Sequence, residues 1–60
     1  MIIGYTDQNG DHQVSVAEKA RDAPGMLDAL IQEKSQDESV LFCWAGYQEG
    51  EKIVKMFISE

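Results

Sequence analysis

The sequence has one cysteine and one histidine, and this shortage argues against several kinds of chemistry. A single cysteine cannot form an internal disulfide, so a reducing cytoplasm is the expected location. A zinc site needs three or four nitrogen or sulfur ligands, more than Cys43 and His12 supply together. Cysteine–histidine catalysis would require contact between these two residues, which fall in different predicted hairpins. With no phosphate-binding glycine loop either, we predict a protein that is not an enzyme and uses no cofactor.

Basic residues are also scarce. Five lysines and arginines against eleven acids leave a net charge of −6. Direct binding to nucleic acid or to an anionic membrane is therefore not expected, because phosphate contacts require cations. No apolar run approaches the ~18 residues of a membrane span, and no signal peptide is recognisable. The charge is instead compatible with a protein partner that has a basic surface.

The segment from Asp7 to Glu18 has two interpretations, a calcium-binding loop and a β-hairpin. His12 stands where an EF-hand loop has glycine, and the few residues before Asp7 cannot form the entering helix. Calcium binding by residues 7–18 therefore remains an alternative to the favoured hairpin. The resemblance to an EF-hand loop rests on five oxygen-bearing residues with the appropriate spacing, Asp7, Asn9, Asp11, Ser15 and Glu18.

The hairpin interpretation rests on Asn9-Gly10, the preferred pair for a two-residue type I′ turn. A turn centred on this pair makes Asp7 face His12 at the hairpin tip. The same register separates the strands into a polar side and an apolar side, which a slip of one residue would destroy. The predicted apolar side consists of Ile3, Tyr5, Val14 and Val16.

The rest of the chain predicts one helix and a second hairpin. Asp22 is a suitable helix N-cap and Pro24 fits the first turn. Strand-forming residues occupy 40–45 and 53–58, with the turn at Glu49-Gly50. If the second and third strands were neighbours, they would be parallel. The helix should end near residues 34–36, and its apolar stripe is Ala23, Leu27, Leu30 and Ile31.

The order of elements predicts a single compact domain over residues 1–60, of the α+β class. We expect a small ββαββ domain, with antiparallel hairpins at each end and one helix packed on one sheet face. A chain of this length has a thin core, burying only about 60% of its unfolded surface.

The second hairpin is apolar on both sides, whereas one helix covers one face. Either side could be exposed, or sheet twist and long polar side chains could cover the surplus. One side holds Leu41, Cys43, Ala45, Val54, Met56 and Ile58. The other holds Val40 and the predicted partner-binding residues Phe42, Trp44, Ile53, Lys55 and Phe57. We expect carboxylates to add contacts to a basic partner, namely Asp28, Glu33, Asp37 and Glu38.

These features favour a small acidic, non-catalytic protein-binding module. In size and charge, though not in any motif, it resembles the stand-alone inhibitors of phages and mobile elements, such as anti-CRISPR proteins and DNA mimics. That resemblance implies steric or DNA-mimic-like blockade of a host protein or nucleic-acid-handling complex. The alternative is a homo-oligomeric structural or regulatory module, such as a homodimer, paired through the surplus face or a free edge strand.

Overall fold

A computed structural model describes residues 1–59 as one four-stranded antiparallel sheet with one α-helix. The predicted α+β ββαββ architecture, with a hairpin at each end, is confirmed. In space the strands run β2-β1-β3-β4, which makes β2 and β4 the edges. The elements in chain order are β1 (Ile2–Asp7), β2 (Gly10–Val16), a 3-10 turn (Ala20–Asp22), α1 (Ala23–Lys34), β3 (Val40–Glu49) and β4 (Lys52–Ser59).

The strand order places β1 between β2 and β3. Every pairing is antiparallel, so the parallel contact considered between the second and third strands does not form. The two inner strands hold the most buried residues of the sheet, including Ile3, Trp44 and Ala45. Inner strands have neighbours on both sides, which makes them the favourable place for apolar and small side chains.

The helix packs its predicted stripe onto β1 and β3. Ala23, Leu27 and Leu30 are buried, and Ile31 packs beside them. Asp22 precedes the helix as predicted but has helical φ and ψ and makes no capping hydrogen bond with its side chain. The 3-10 turn that leads into α1 explains this, because an N-cap side chain reaches the helix from extended backbone.

The first hairpin forms, but its turn differs from the prediction. Asp7 pairs with Gly10, so Gln8 and Asn9 are the connecting residues. Only Gly10 has a positive φ, 116°, whereas a type I′ turn needs positive φ at both central residues. The Asn9 amide donates to Asp7 Oδ1 at 2.8 Å, and this local bond stabilises the earlier turn. The predicted Asn9-Gly10 type I′ turn is therefore wrong.

A bulge in β2 also redirects one predicted core residue. Val14 is an extra residue with no partner in β1. The residues after it in β2 therefore point to the faces opposite to those predicted. Val16 consequently pairs with Ile2 on the face away from α1 and is 54% exposed. Its predicted place beside Ile3 is wrong, while Ile3 itself is buried in the core.

The second hairpin turns at Gly50 and Glu51, because Glu49 pairs with Lys52. The predicted turn centred on Glu49-Gly50 is therefore wrong. A bulge at Met56 shifts the register again, so that Phe57 pairs with Ala45. Since Ala45 belongs to the core under α1, Phe57 lies on the helix side of the sheet.

Candidate functional site

Trp44, the predicted centre of the partner-binding patch, is completely buried. It lies on the face opposite α1, since its neighbours Cys43 and Ala45 point into the core. Gly4 stands directly across from it in β1. A Cβ atom at Gly4 would lie 2.7 Å from the indole ring, so the glycine creates the space that the ring occupies. The prediction that Trp44 is an exposed anchor is wrong.

A closed polar network covers the indole ring. Trp44 Nε1 donates to Thr6 Oγ1 at 3.0 Å, and Thr6 Oγ1 donates to Asp11 Oδ1 at 2.5 Å. Lys55 Nζ donates to Asp11 Oδ2 at 2.9 Å and lies 5.7 Å from the centre of the indole ring. Lys55 therefore reaches from edge strand β4 across the sheet to edge strand β2. These side chains, rather than a partner, cover the Trp44 ring on the second face.

The five residues predicted to form one binding patch are consequently divided. Lys55 and Trp44 belong to the network, and Ile53 lies half-buried on the same face. Phe42 is also half-buried and lies across from Thr6 in β1. Phe57 is 53% exposed but lies on the helix side. The other candidate side is not one surface either, because Cys43 is buried in the core. The bulge at Met56 and a contact between residues 44 positions apart caused this division.

The polar network is expected to make the stability of the protein depend on pH. Hydrogen bonds from Thr6 and Lys55 hold the pKa of Asp11 below its ordinary value of 3.8. The associated stability is present above the unfolded-state pKa and is lost as pH falls through the lower folded-state pKa. In an NMR titration of the carboxyl carbon, we expect Lys55→Met to raise the pKa of Asp11. Lys52→Met, at the start of the same strand, should not, and an equal response to both variants would contradict the assignment.

A second polar group lies at the tip of the first hairpin. His12 Nε2 lies 2.8 Å from Asp7 Oδ1. The predicted pairing of these residues is wrong, because His12 faces Tyr5 and Asp7 faces Gly10, so the contact is a diagonal one. The His12 ring stacks on Tyr5 at 4.9 Å, and Lys34 Nζ lies 4.7 Å from the centre of the Tyr5 ring. The hydrogen bond to His12 lowers the pKa of Asp7. This group joins β1, β2 and the end of α1.

The lone cysteine lies inside the core. Cys43 is 4% exposed, and burial raises the pKa of its thiol. A raised pKa keeps the sulfur protonated near neutral pH, and the thiolate is the reactive form. Its position across from Tyr5 in the sheet is that of a small core residue.

An open groove of about 420 Å³ lies where α1 ends and β3 begins. Asp37 and Glu38 line it from the connecting loop, and Lys34 lines it from the last turn of α1. The amide and hydroxyl of Ser39 donate to Asp37 Oδ1 at 3.0 and 2.6 Å, which lowers the pKa of Asp37 and keeps it ionised. We call this surface the helix-end groove, and its apolar wall is formed by Ile31, Val40, Leu41 and Phe42.

The four predicted carboxylates do not form one row. Asp37 and Glu38 line the helix-end groove. Glu33 instead lines a shallower groove of about 230 Å³ between α1 and β2, beside Val14 and Met26. Asp28 is exposed on α1 and lines neither of these two grooves. Helical spacing separates Asp28 and Glu33 by more than a third of a turn.

Edge strand β4 carries the densest exposed apolar sequence of residues 1–59. Met56, Phe57 and Ile58 are each more than half exposed. The helix packs over β1 and β3 and leaves β4 largely uncovered. The residue pattern predicted Met56 and Ile58 on one side and Phe57 on the other. It did not indicate that β1 would lie beside β3 and that the helix would pack over these two strands instead of β4.

The structure of residues 7–18 differs from that of a calcium-binding loop. Residues 10–16 form a strand rather than a loop, and Asp11 is already bonded to Lys55. Among residues 1–59, no three His, Cys, Asp or Glu side chains are grouped closely enough to hold a metal ion.

Within the same residues, no helix has the length and apolar character required to cross a bilayer. The chain matches no protein-family model, no curated protein and no solved structure.

Proposed function

We propose that the protein is a non-catalytic protein-binding module and that the helix-end groove is its binding surface. The observation that carries this proposal is an open apolar groove of about 420 Å³ with two carboxylates beside it. This volume lies within the range of ligand-binding clefts and is large enough for an anchoring side chain. Leu41 in its wall is 56% exposed and is available for such a contact.

The groove's chemistry indicates the kind of partner. An apolar or aromatic side chain would enter between Ile31 and Leu41, and a lysine or arginine beside it would meet Asp37 and Glu38. Lys34 at the same groove faces the Tyr5 ring, so it competes only partly for these carboxylates. The net charge of −6 would attract a basic partner over longer distances and increase its association rate.

Inhibition of a host protein is the biological role that we propose for this binding. A small acidic domain can block a basic groove sterically, or can present carboxylates where a nucleic acid would present phosphates. Asp28 and Glu33 extend the negative surface along α1, away from the helix-end groove. This role is consistent with the size and charge that the chain shares with phage and mobile-element inhibitors.

Selection from a displayed peptide library tests the groove directly. We expect the selected peptides to contain an aromatic or large apolar residue next to lysine or arginine. Leu41→Arg should weaken their binding at least about tenfold, or about 1.4 kcal/mol, because it places a cation in the groove. Isothermal titration calorimetry with synthetic peptides measures this change.

Val16→Arg is the matched control for that experiment. Val16 has nearly the same exposure as Leu41, 54% against 56%, but lies on edge strand β2 and does not line the helix-end groove. Peptide binding should survive the Val16 substitution. Binding that is insensitive to Leu41→Arg, or equally sensitive to both variants, would reject the groove as the binding surface.

A further inference from the structure

Strand β4 is an open edge of the sheet. It pairs with β3 on one side, and no strand of residues 1–59 lies on the other. An edge strand presents a row of unpaired backbone N–H and C=O groups, which another extended strand can satisfy. With eight residues, Lys52–Ser59 offers a long edge for such pairing.

The side chains of β4 make both faces beside this edge apolar. Ile58 pairs with Trp44 and lies on the outer face, whereas Phe57 pairs with Ala45 and lies on the helix side. Met56 is the extra residue of the bulge and is 58% exposed. A strand added at this edge would therefore remove apolar surface from water on both faces, which stabilises the pairing by about 25 cal/mol per Å².

Charge indicates which strand would fit there. None of the chain's eleven acids lies within Lys52–Ser59. Of the two lysines in β4, Lys55 is already neutralised by Asp11 at 2.9 Å. The edge thus offers no carboxylates to a basic segment, and it complements a nearly neutral apolar strand. Strand β4 of a second copy has this chemistry, and β4 is the only strand of residues 1–59 that contains no acid.

We propose that two copies of the chain pair antiparallel through β4 and form one eight-stranded sheet. A two-fold arrangement uses the same edge in both copies, so the assembly closes as a dimer and does not continue as a fibre. Phe57 of each copy would then help to cover the helix side of the other, and Ile58 the outer side. The pairing goes beyond the proposed binding function and does not require a peptide in the helix-end groove.

Sedimentation velocity of the full chain across a concentration series tests the dimer. The mass should rise from 6.7 kDa to twice that value. Met56→Lys should weaken association at least about tenfold, because it places a charge at the paired edge. Val16→Lys, at a similarly exposed residue on edge strand β2, should leave association unchanged. Circular dichroism of both variants verifies that they remain folded.

Hydrogen exchange then locates the interface. Backbone amides of β4 should exchange more slowly at high than at low protein concentration, whereas those of β2 should not respond. A wild-type chain that stays monomeric up to about 1 mM would overturn the proposal. It would also be overturned by a dimer that Val16→Lys weakens as much as Met56→Lys, or by β4 amides that ignore concentration. None of these results would affect peptide binding to the helix-end groove.

Discussion

Replacing Trp44 with alanine is expected to lower the free energy of unfolding by about 3–5 kcal/mol, the usual loss for a large buried aromatic residue. The side chain is fully buried, and its removal would also leave Thr6 and Lys55 without the indole that they cover. Short domains have little stability in reserve, so much of the variant should be unfolded at room temperature. Urea unfolding followed by far-ultraviolet circular dichroism measures the change.

Tyr47→Ala serves as the comparison for that substitution. Tyr47 lies three residues further along β3 and is 43% exposed. Tyr47→Ala should lower the free energy of unfolding much less, because a partly exposed side chain makes fewer apolar contacts that its removal can abolish. Losses of equal size for the two variants would contradict the placement of Trp44 beneath the polar network.

The second large effect is expected at Gly4. A Cβ atom there would lie 2.3 Å from the backbone oxygen of His12 and 2.7 Å from the Trp44 ring. The backbone cannot move aside as a flexible side chain does. Gly4→Ala should therefore lower the free energy of unfolding by about 1–3 kcal/mol or more. The displaced indole should also change its fluorescence emission in the fraction that stays folded. Chemical denaturation and emission spectra together measure both consequences.

Gly25→Ala is the matched control, with the same chemical change at a different glycine. Gly25 lies in the first turns of α1, and a Cβ atom there would have no heavy atom within 4 Å. Alanine favours helix, so this variant should be more stable than the wild type by up to about 1 kcal/mol. The two substitutions are thus expected to act in opposite directions. Destabilisation by both would refute the role assigned to the space beside Trp44.

The sequence predicted the elements well because the signals for them are local. The helix followed from the spacing of Ala23, Leu27 and Leu30, all of which are buried. The strands followed from their β-branched and aromatic residues. The turns were less certain, because Asp7 can form a side-chain hydrogen bond to the Asn9 amide and so favour a turn earlier than Asn9-Gly10.

The candidate site was harder to predict than the fold. Asp37 and Glu38, which were predicted to bind a partner, are exposed and line the helix-end groove. Their association with Ile31 and Leu41 depends on how the end of α1 lies over the start of β3. The positions of Trp44 and Phe57 were predicted wrongly. These residues lie in β3 and β4, where the register changes at a bulge that no residue pattern indicates.

The sequence by itself determined the class of the domain, its acidic charge and the apolar surplus in the second hairpin. These properties depend on composition and on periods of two and 3.6 residues, which any short window of the chain displays. Only the tertiary structure decided where the surplus went. Strand order, the bulge at Met56 and the reach of Lys55 from β4 to Asp11 in β2 buried Trp44 and left Met56, Phe57 and Ile58 exposed on an edge. Such contacts join distant parts of the chain, so their geometry exists only once the sheet has assembled.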